Sequence, residues 1–260
     1  MFRFLAVLAI VLSALASPLD AGGKALPPQI SWHGQSFFTI KTGKGMTIAI
    51  DPHAIPEYGR LMGLKADVVL ISHNHNDHTQ VGVFENSKDK DFRVITGLKG
   101  NSLKADWNQV DETIKDVRIR SVGVFHDNME GMRFGKTAVF IIEVDGWRIV
   151  HLGDLGHLLS PAQLKRIGPV DVLMIPVGGV YTLNGSEAKQ VVAQIKPKEY
   201  IFPMHCGTRV YDDLLPVTEF LEDQDRAKVT SSLDNRLLLN RDPQRPRPLI
   251  VQLNFWPKGK

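Results

Sequence analysis

A short apolar run, Ala66-Asp67-Val68-Val69-Leu70-Ile71-Ser72, passes without a break into His73-Asn74-His75-Asn76-Asp77-His78. A continuous apolar stretch of this length is the pattern of a strand buried on both faces. Histidines clustered directly after such a strand point to metal ligation rather than to isolated core or surface groups. His73 and His75 are two apart, so on an extended backbone both side chains point to one side and can share an ion; on a helix they would diverge by about 200°. The helical zinc pattern H-E-x-x-H is absent. Asp77 and His78 are neighbours, and on an extended backbone their side chains diverge, which suits them to a second ion beside the first.

Cysteine usage narrows the chemistry further. Cys206 is the only cysteine, so the chain forms no internal disulfide and has no thiolate cluster for zinc. Histidine and carboxylate must supply the ligands, as in hydrolytic centres that keep a coordination position open. The length of 260 residues, 43% hydrophobic and 23% charged, fits one globular domain of good size or two small ones packed together.

The N-terminus has the outline of a cleavable export signal over residues 1–16: Arg3, an apolar core from Phe4 to Leu12, and Ala14 and Ala16 ahead of Ser17. That core is too short for a membrane span of about 20 residues. The expectation is a periplasmic or secreted protein with no stable membrane span after cleavage, a flexible segment over 17–29, and a folded domain over 30–260. Loss of Arg3 would leave 30 basic against 28 acidic residues. A chain so nearly neutral has no electrostatic footprint for nucleic acid or an anionic membrane, and a small-molecule substrate is the expected partner.

Strands and helices alternate along the rest. The segments 37–40 and 46–50 flank Gly43 to Gly45 as strand, turn and strand. Asp145-Gly146 sits between two apolar runs as a tight hairpin. Ser160, Pro161 and Gln163 open a helix that Gly168-Pro169 closes. Another helix is expected from about Ser186 to Lys196, with Ala188, Val191, Val192 and Ile195 on one face. Buried strands end at Gly178-Gly179 and at His205, and 249–256 forms a last strand. Such interleaving around one core is the α/β class.

The form H-x-H-x-D-H after a buried strand, with Asp51 in "IAIDPH", His126 in "VGVFHD", Asp154 in "HLGDLGH" and His205 in "FPMHCGT", resembles the metallo-β-lactamase fold superfamily. The resemblance covers roughly residues 31 to 210. "WHGQSFF" and "HLGDLGH" are most similar to the branch of L-ascorbate-6-phosphate lactonase and related hydrolases. Many of those relatives carry Gly-His where this chain has Gly34-Gln35.

The resemblance implies a four-layer αβ/βα sandwich. It implies one metal on His73, His75 and His126, a second on Asp77, His78 and His205, and Asp154 bridging them. Two divalent ions are expected, zinc first, with manganese or iron also suited to these ligands. A hydroxide shared by both ions would be the nucleophile, because bound metal lowers the pKa of water from about 15.7 to about 7. Asp77 and Asp154 are the catalytic carboxylates, Asp77 also orienting the hydroxide, and Asp51 would align ligands from behind. His151 and His157 read as structural or aligning groups, His53 as lining the site mouth, and Asp127 as a solvated loop carboxylate. Arg133 and Lys136 read as surface charge in preference to anion binding. Gly178, Gly179, Tyr181, Thr208 and Arg209 lie on loops after strands, where pockets form.

The expected function is therefore an exported metal-dependent hydrolase of a small ester, lactone or phosphoester. Two rivals accompany it. A phosphodiesterase acting on phospholipid or nucleic acid would use the same site, and a metal-binding sensor or scaffold would bind without turnover.

Overall fold

A computed structural model describes residues 26–59, 61–100, 102 and 105–255. The export segment 1–16, and the part of the following segment up to residue 25, lie outside the described residues. The strands form two sheets. One holds β1 (Gln29–Trp32), β2 (Phe38–Lys41), β3 (Thr47–Ile50), β4 (Val68–Ile71) and β5 (Arg93–Thr96), with β13 (Arg236–Leu238) paired to β1 at its edge. The other runs in the order β12 (Val229–Ser231), β14 (Leu249–Gln252), β11 (Tyr200–Met204), β10 (Val172–Pro176), β9 (Trp147–His151), β8 (Lys136–Val144), β7 (Val117–Phe125) and β6 (Asp111–Ile114).

Why these segments are strands is clearest in β8. Its Phe140 and Ile142 face the inter-sheet core with Ile40, Ile48, Leu70 and Phe202, while Val139 and Ile141 face the opposite way. Both faces are covered, so the strand carries an unbroken apolar run rather than an alternating one. The second face is covered by α1 (Pro161–Ile167), α2 (Gly185–Ile195) and α3 (Thr218–Leu221), through Ile167, Ala188, Val191 and Phe220. On the far side of the other sheet, Ala49, Val69 and Ile71 pack under Phe37 and Phe84. There the outer layer comes from the chain on either side of β4: Leu61 and Leu64 before it, and Val81, Val83 and Phe92, with the 3-10 turn Val81–Val83, after it. No helix among the described residues is long and apolar enough to cross a membrane.

Local chemistry sets the boundaries. Ser160 and Gln163 form the reciprocal cap that opens α1. α2 starts one residue before the sequence expectation, because Asn184 caps it and Glu187 returns the bond to the Asn184 N–H. It ends at Ile195 because Lys196 turns left-handed, at φ 53. The β8–β9 hairpin turns at Asp145 (φ 50) and Gly146 (φ 75), as expected of Asp-Gly.

Strand direction places the site. β3 and β4 are parallel, and β9, β10 and β11 are parallel. β7 shares the direction of β9 because β8 is antiparallel to both. The C-terminal ends of β3, β4, β7, β9 and β11 deliver Asp51, His73, His126, Asp154 and His205 respectively. The sheets are laced there by Ala138 N–H to the Ser72 carbonyl (3.1 Å) and His205 N–H to the Gln35 carbonyl (3.1 Å). Gly153, at φ 54, is needed at that edge: a Cβ would lie 2.8 Å from Thr137 Oγ1 and 2.9 Å from the Ala138 carbonyl.

Candidate metal centre

Asp154 Oδ2 is the centre of the arrangement. His78 Nε2 and His205 Nε2 lie 3.1 Å from it, His126 Nε2 3.2 Å and His73 Nε2 3.7 Å. His75 Nδ1 is 3.0 Å from His73 Nε2, and Asp77 Oδ2 is 3.4 Å from His78 Nε2. The donor atoms fall into three groups able to hold a cation: His73, His75 and His126; His73, His78 and Asp154; and Asp77, His78 and His205. All seven residues singled out in the sequence thus meet at one place. Five of them, His75, Asp77, His126, Asp154 and His205, border a cleft of 220 Å³ completed by Phe134 and Tyr181.

The backbone explains how the hexapeptide reaches two positions. His75 is extended (φ −72, ψ 148), which puts it beside His73 as its spacing requires. Asp77 and His78 diverge through a 3-10 turn, Asn76–His78, and not along an extended chain. The turn drives His78 into the interior, fully buried, and leaves Asp77 about one third exposed at the cleft.

The partners behind two of the imidazoles fix their tautomers. His126 Nδ1 faces the Tyr181 carbonyl at 3.1 Å, so it carries the proton and donates. Ser72 Oγ donates to Asp51 Oδ2 (2.7 Å) and therefore accepts from His73 Nδ1 (2.9 Å). Asp51 Oδ2 also stands 3.2 Å from His78 Nδ1. His73 and His126 consequently turn bare Nε2 lone pairs toward the Asp154 carboxylate. Lone pair against lone pair is repulsive, and both His78 ring nitrogens are buried without a hydrogen bond; cations between the groups satisfy both conditions. The donor set fits divalent metal.

Electrostatics agree in direction at four of these groups, with His78 the exception. Burial alone would raise the Asp154 carboxyl, but His205 and His78 overcome it and hold it well below the usual carboxylate range. Burial likewise opposes ionisation of Asp77, which His78 nevertheless drives below its ordinary value. Burial, then the neighbouring His78, lowers His73, and burial, then His126, lowers His75, favouring the neutral form a metal ligand needs. At His78 burial is outweighed by Asp154, Asp77 and Asp51, which raise it.

Several residues with little local signal support this core. Gln35 Nε2 donates to Asp77 Oδ2 at 2.9 Å. Ser36 Oγ donates to Asp154 Oδ1 at 3.2 Å. Asp51 holds Ser72 by both its N–H and hydroxyl, each at 2.7 Å. Only Asp51 of these stood out in the sequence. Asp127 corrects its sequence reading: it is buried, and its carboxylate accepts N–H bonds from Met129, Gly131, Arg133 and Phe134 at 2.7 to 2.9 Å. The loop wraps round the carboxylate in place of water. His151 accepts from Gly153 N–H and donates to the Ser36 carbonyl, and His157 Nε2 accepts from Phe125 N–H. Lys136 is neutralised by Asp106 at 2.6 Å. Thr208 and Arg209 border a different cavity, beside Trp32 and Cys206.

His53 does not border the metal-centre cleft. It lines a separate 750 Å³ cavity with Pro56, Met62 and Phe84, because its ring is tied to backbone: Nδ1 accepts from Ile55 N–H (3.1 Å), so Nε2 donates to the His33 carbonyl (3.0 Å). Burial pushes His53 down to about 4, and burial followed by the His53 charge does the same for His33. Their folded pKa values lie below the unfolded value of 6.5, so the stability they permit is full above pH 6.5 and is lost as pH falls toward about 4. At pH 5 the loss at His53 is about 2 kcal/mol. Denaturant unfolding of chelator-treated protein at pH 7 and pH 5 should show a drop to which His33 and the other buried imidazoles also contribute, and His53→Gln should make it smaller by about 2 kcal/mol; an equal drop in the variant would remove His53 from the account.

Comparison with known proteins gives this geometry its context. A family model described as a beta-lactamase superfamily domain matches residues 29–205, from β1 to the last histidine of the centre. A UPF0173 metal-dependent hydrolase of Anaeromyxobacter dehalogenans is 29% identical over 258 residues, covering 89% of each chain. A UPF0173 protein of Pyrococcus abyssi is 33% identical over 69% of this chain and 84% of its own. A solved structure from Thermotoga maritima, provisionally assigned as a Zn-dependent hydrolase of the metallo-beta-lactamase superfamily, superposes with a TM-score of 0.64 at 33% identity. It covers 87% of this chain and 100% of that one.

Proposed function

Since the chain belongs to the metallo-β-lactamase superfamily of metal-dependent hydrolases, we propose that it hydrolyses a small ester, lactone or phosphoester at a centre of two divalent cations. His73, His75 and His126 would hold one cation, Asp77, His78 and His205 the other, and Asp154 would be shared. The observation that carries this reading is the set of four Nε2 atoms within 3.1 to 3.7 Å of one Asp154 oxygen. Such cations, zinc foremost, supply Lewis acidity and bring the pKa of water toward about 7.

The protein's own groups do the rest. Asp77, ionised and fixed through Oδ2 by Gln35, keeps Oδ1 free to orient water and take its proton. Ser36 and the Ser72–Asp51 pair hold Asp154 and His73 in place. Phe134 and Tyr181 give the cleft an apolar side against which a substrate group can lie. The branch similar to L-ascorbate-6-phosphate lactonase is supported by "WHGQSFF" and "HLGDLGH", and export to the periplasm or medium by the pattern of residues 1–16.

A panel of lactones, β-lactams, simple esters and bis-aryl phosphates, assayed with and without chelator, tests the reading. Turnover of at least one ester, lactone or phosphoester is expected, abolished by chelator and restored by zinc. Absence of chelator-sensitive turnover across the panel would leave a non-catalytic metal-binding scaffold instead.

A further inference from the structure

The cleft over the metal centre has one apolar wall, Phe134 and Tyr181. Their rings meet edge to face with centroids 5.6 Å apart, at 77°, and Phe134 lies 5.4 Å from the His126 ring. Both are presented by firmly held backbone. Asp127 accepts from the Phe134 N–H at 2.7 Å, and the Tyr181 carbonyl is the acceptor that orients His126. Val180, just before Tyr181, has φ 57, a costly conformation for a β-branched residue. Yet Tyr181 remains 46% exposed, so core packing does not account for the cost.

The third feature is a cation. The Arg133 guanidinium lies 4.6 Å from the Phe134 ring centroid. Among the described residues no carboxylate stands within ion-pair distance of it, in contrast to Lys136, which Asp106 neutralises. A guanidinium held against an aromatic face is preorganised for a planar or tetrahedral anion and loses little freedom on binding one. At 220 Å³ the cleft has room for a ring-sized group.

We propose that this wall selects the substrate: an anionic ester or phosphoester whose flat, aryl-type group lies against Tyr181 and Phe134, drawn toward the cleft by the charge of Arg133 on the Phe134 ring. The proposal rests on the hydrolytic reading of the centre and narrows its substrate class. Ring against ring gives an edge-to-face or offset contact that a methyl group cannot make. Charge at Arg133 adds to the attraction of the centre without choosing between aryl and alkyl groups.

Calorimetric titration of the zinc-loaded protein with phenylphosphonate and methylphosphonate tests this without turnover. The wild-type protein is expected to prefer the phenyl compound by about tenfold. Tyr181→Phe should keep that preference, and Tyr181→Ala, which retains the carbonyl that holds His126, should bring the two affinities within about twofold. Arg133→Gln should weaken both compounds by about threefold and leave their ratio alone. Equal affinities in the wild type, an unchanged ratio in Tyr181→Ala, or no binding of either phosphonate would each overturn the proposal. Aryl preference in a protein that turns over nothing would defeat the hydrolase reading alone; turnover without aryl preference would defeat this one alone.

Discussion

Asp154→Ala should yield a folded chain with less than its full metal and with hydrolysis reduced by about 10³-fold or more, the scale on which a single electrostatic stabiliser of a transition state is lost. Three Nε2 atoms sit 3.1 to 3.2 Å from its Oδ2, and among the described residues no other carboxylate approaches His126 or His205 this closely. Without it, two dications would face each other across imidazoles alone, with Asp77 as the sole carboxylate among the proposed ligands. The fold should survive because Asp154 follows the end of β9, while the apolar clusters lie along the strands behind it. Ser36→Ala, which removes only the donor to Oδ1, should cost roughly tenfold in metal affinity. Metal per chain by mass spectrometry, turnover, and circular dichroism separate these cases. Full activity with two ions bound in Asp154→Ala would refute the shared-ligand assignment.

The positions of the proposed ligands, which the structure brings together, were legible because they follow apolar strands, and apolar strands are visible in sequence. "ADVVLIS" announces His73 and His75, and the Asp145-Gly146 hairpin announces the run that ends at Asp154. What supports the ligands was far less legible. Gln35 reaches Asp77 across 42 positions and Ser36 reaches Asp154 across 118; no local pattern encodes a pairing that only the packing of two sheets creates. β6 and β13 were missed for a related reason. They are short edge strands, β6 largely polar and β13 only three residues long, whose partners, β7 and β1, supply the pairing that holds them. Asp127 shows the converse error: an acidic residue in a Gly-rich loop reads as solvated, yet backbone N–H groups can replace water entirely when the loop closes round it.

Stripping the metal should cost the fold as well as the activity. A cation that binds the native state and not the unfolded chain stabilises by about 4 kcal/mol at a free concentration a thousand times its Kd. For a chain of this size that corresponds to a Tm shift of about 10 °C per site. Burial makes the effect large here, because Asp154, His73, His78, His126 and His205 are each almost wholly removed from solvent. Without cations the bare Nε2 atoms of His73 and His126 would face the Asp154 carboxylate with no water to relieve the repulsion. Scanning calorimetry with and without chelator should therefore give a lower Tm that zinc restores. The shift should shrink as pH falls from 7.5 to 5.5, since protons compete with metal for the same imidazoles. Asp154→Ala, having lost its shared ligand, should show a much smaller response to chelator than the wild type. A wild-type Tm that does not move when all metal has been removed would mean that the five histidines and two aspartates are held by one another, and the two-cation centre would have to be abandoned.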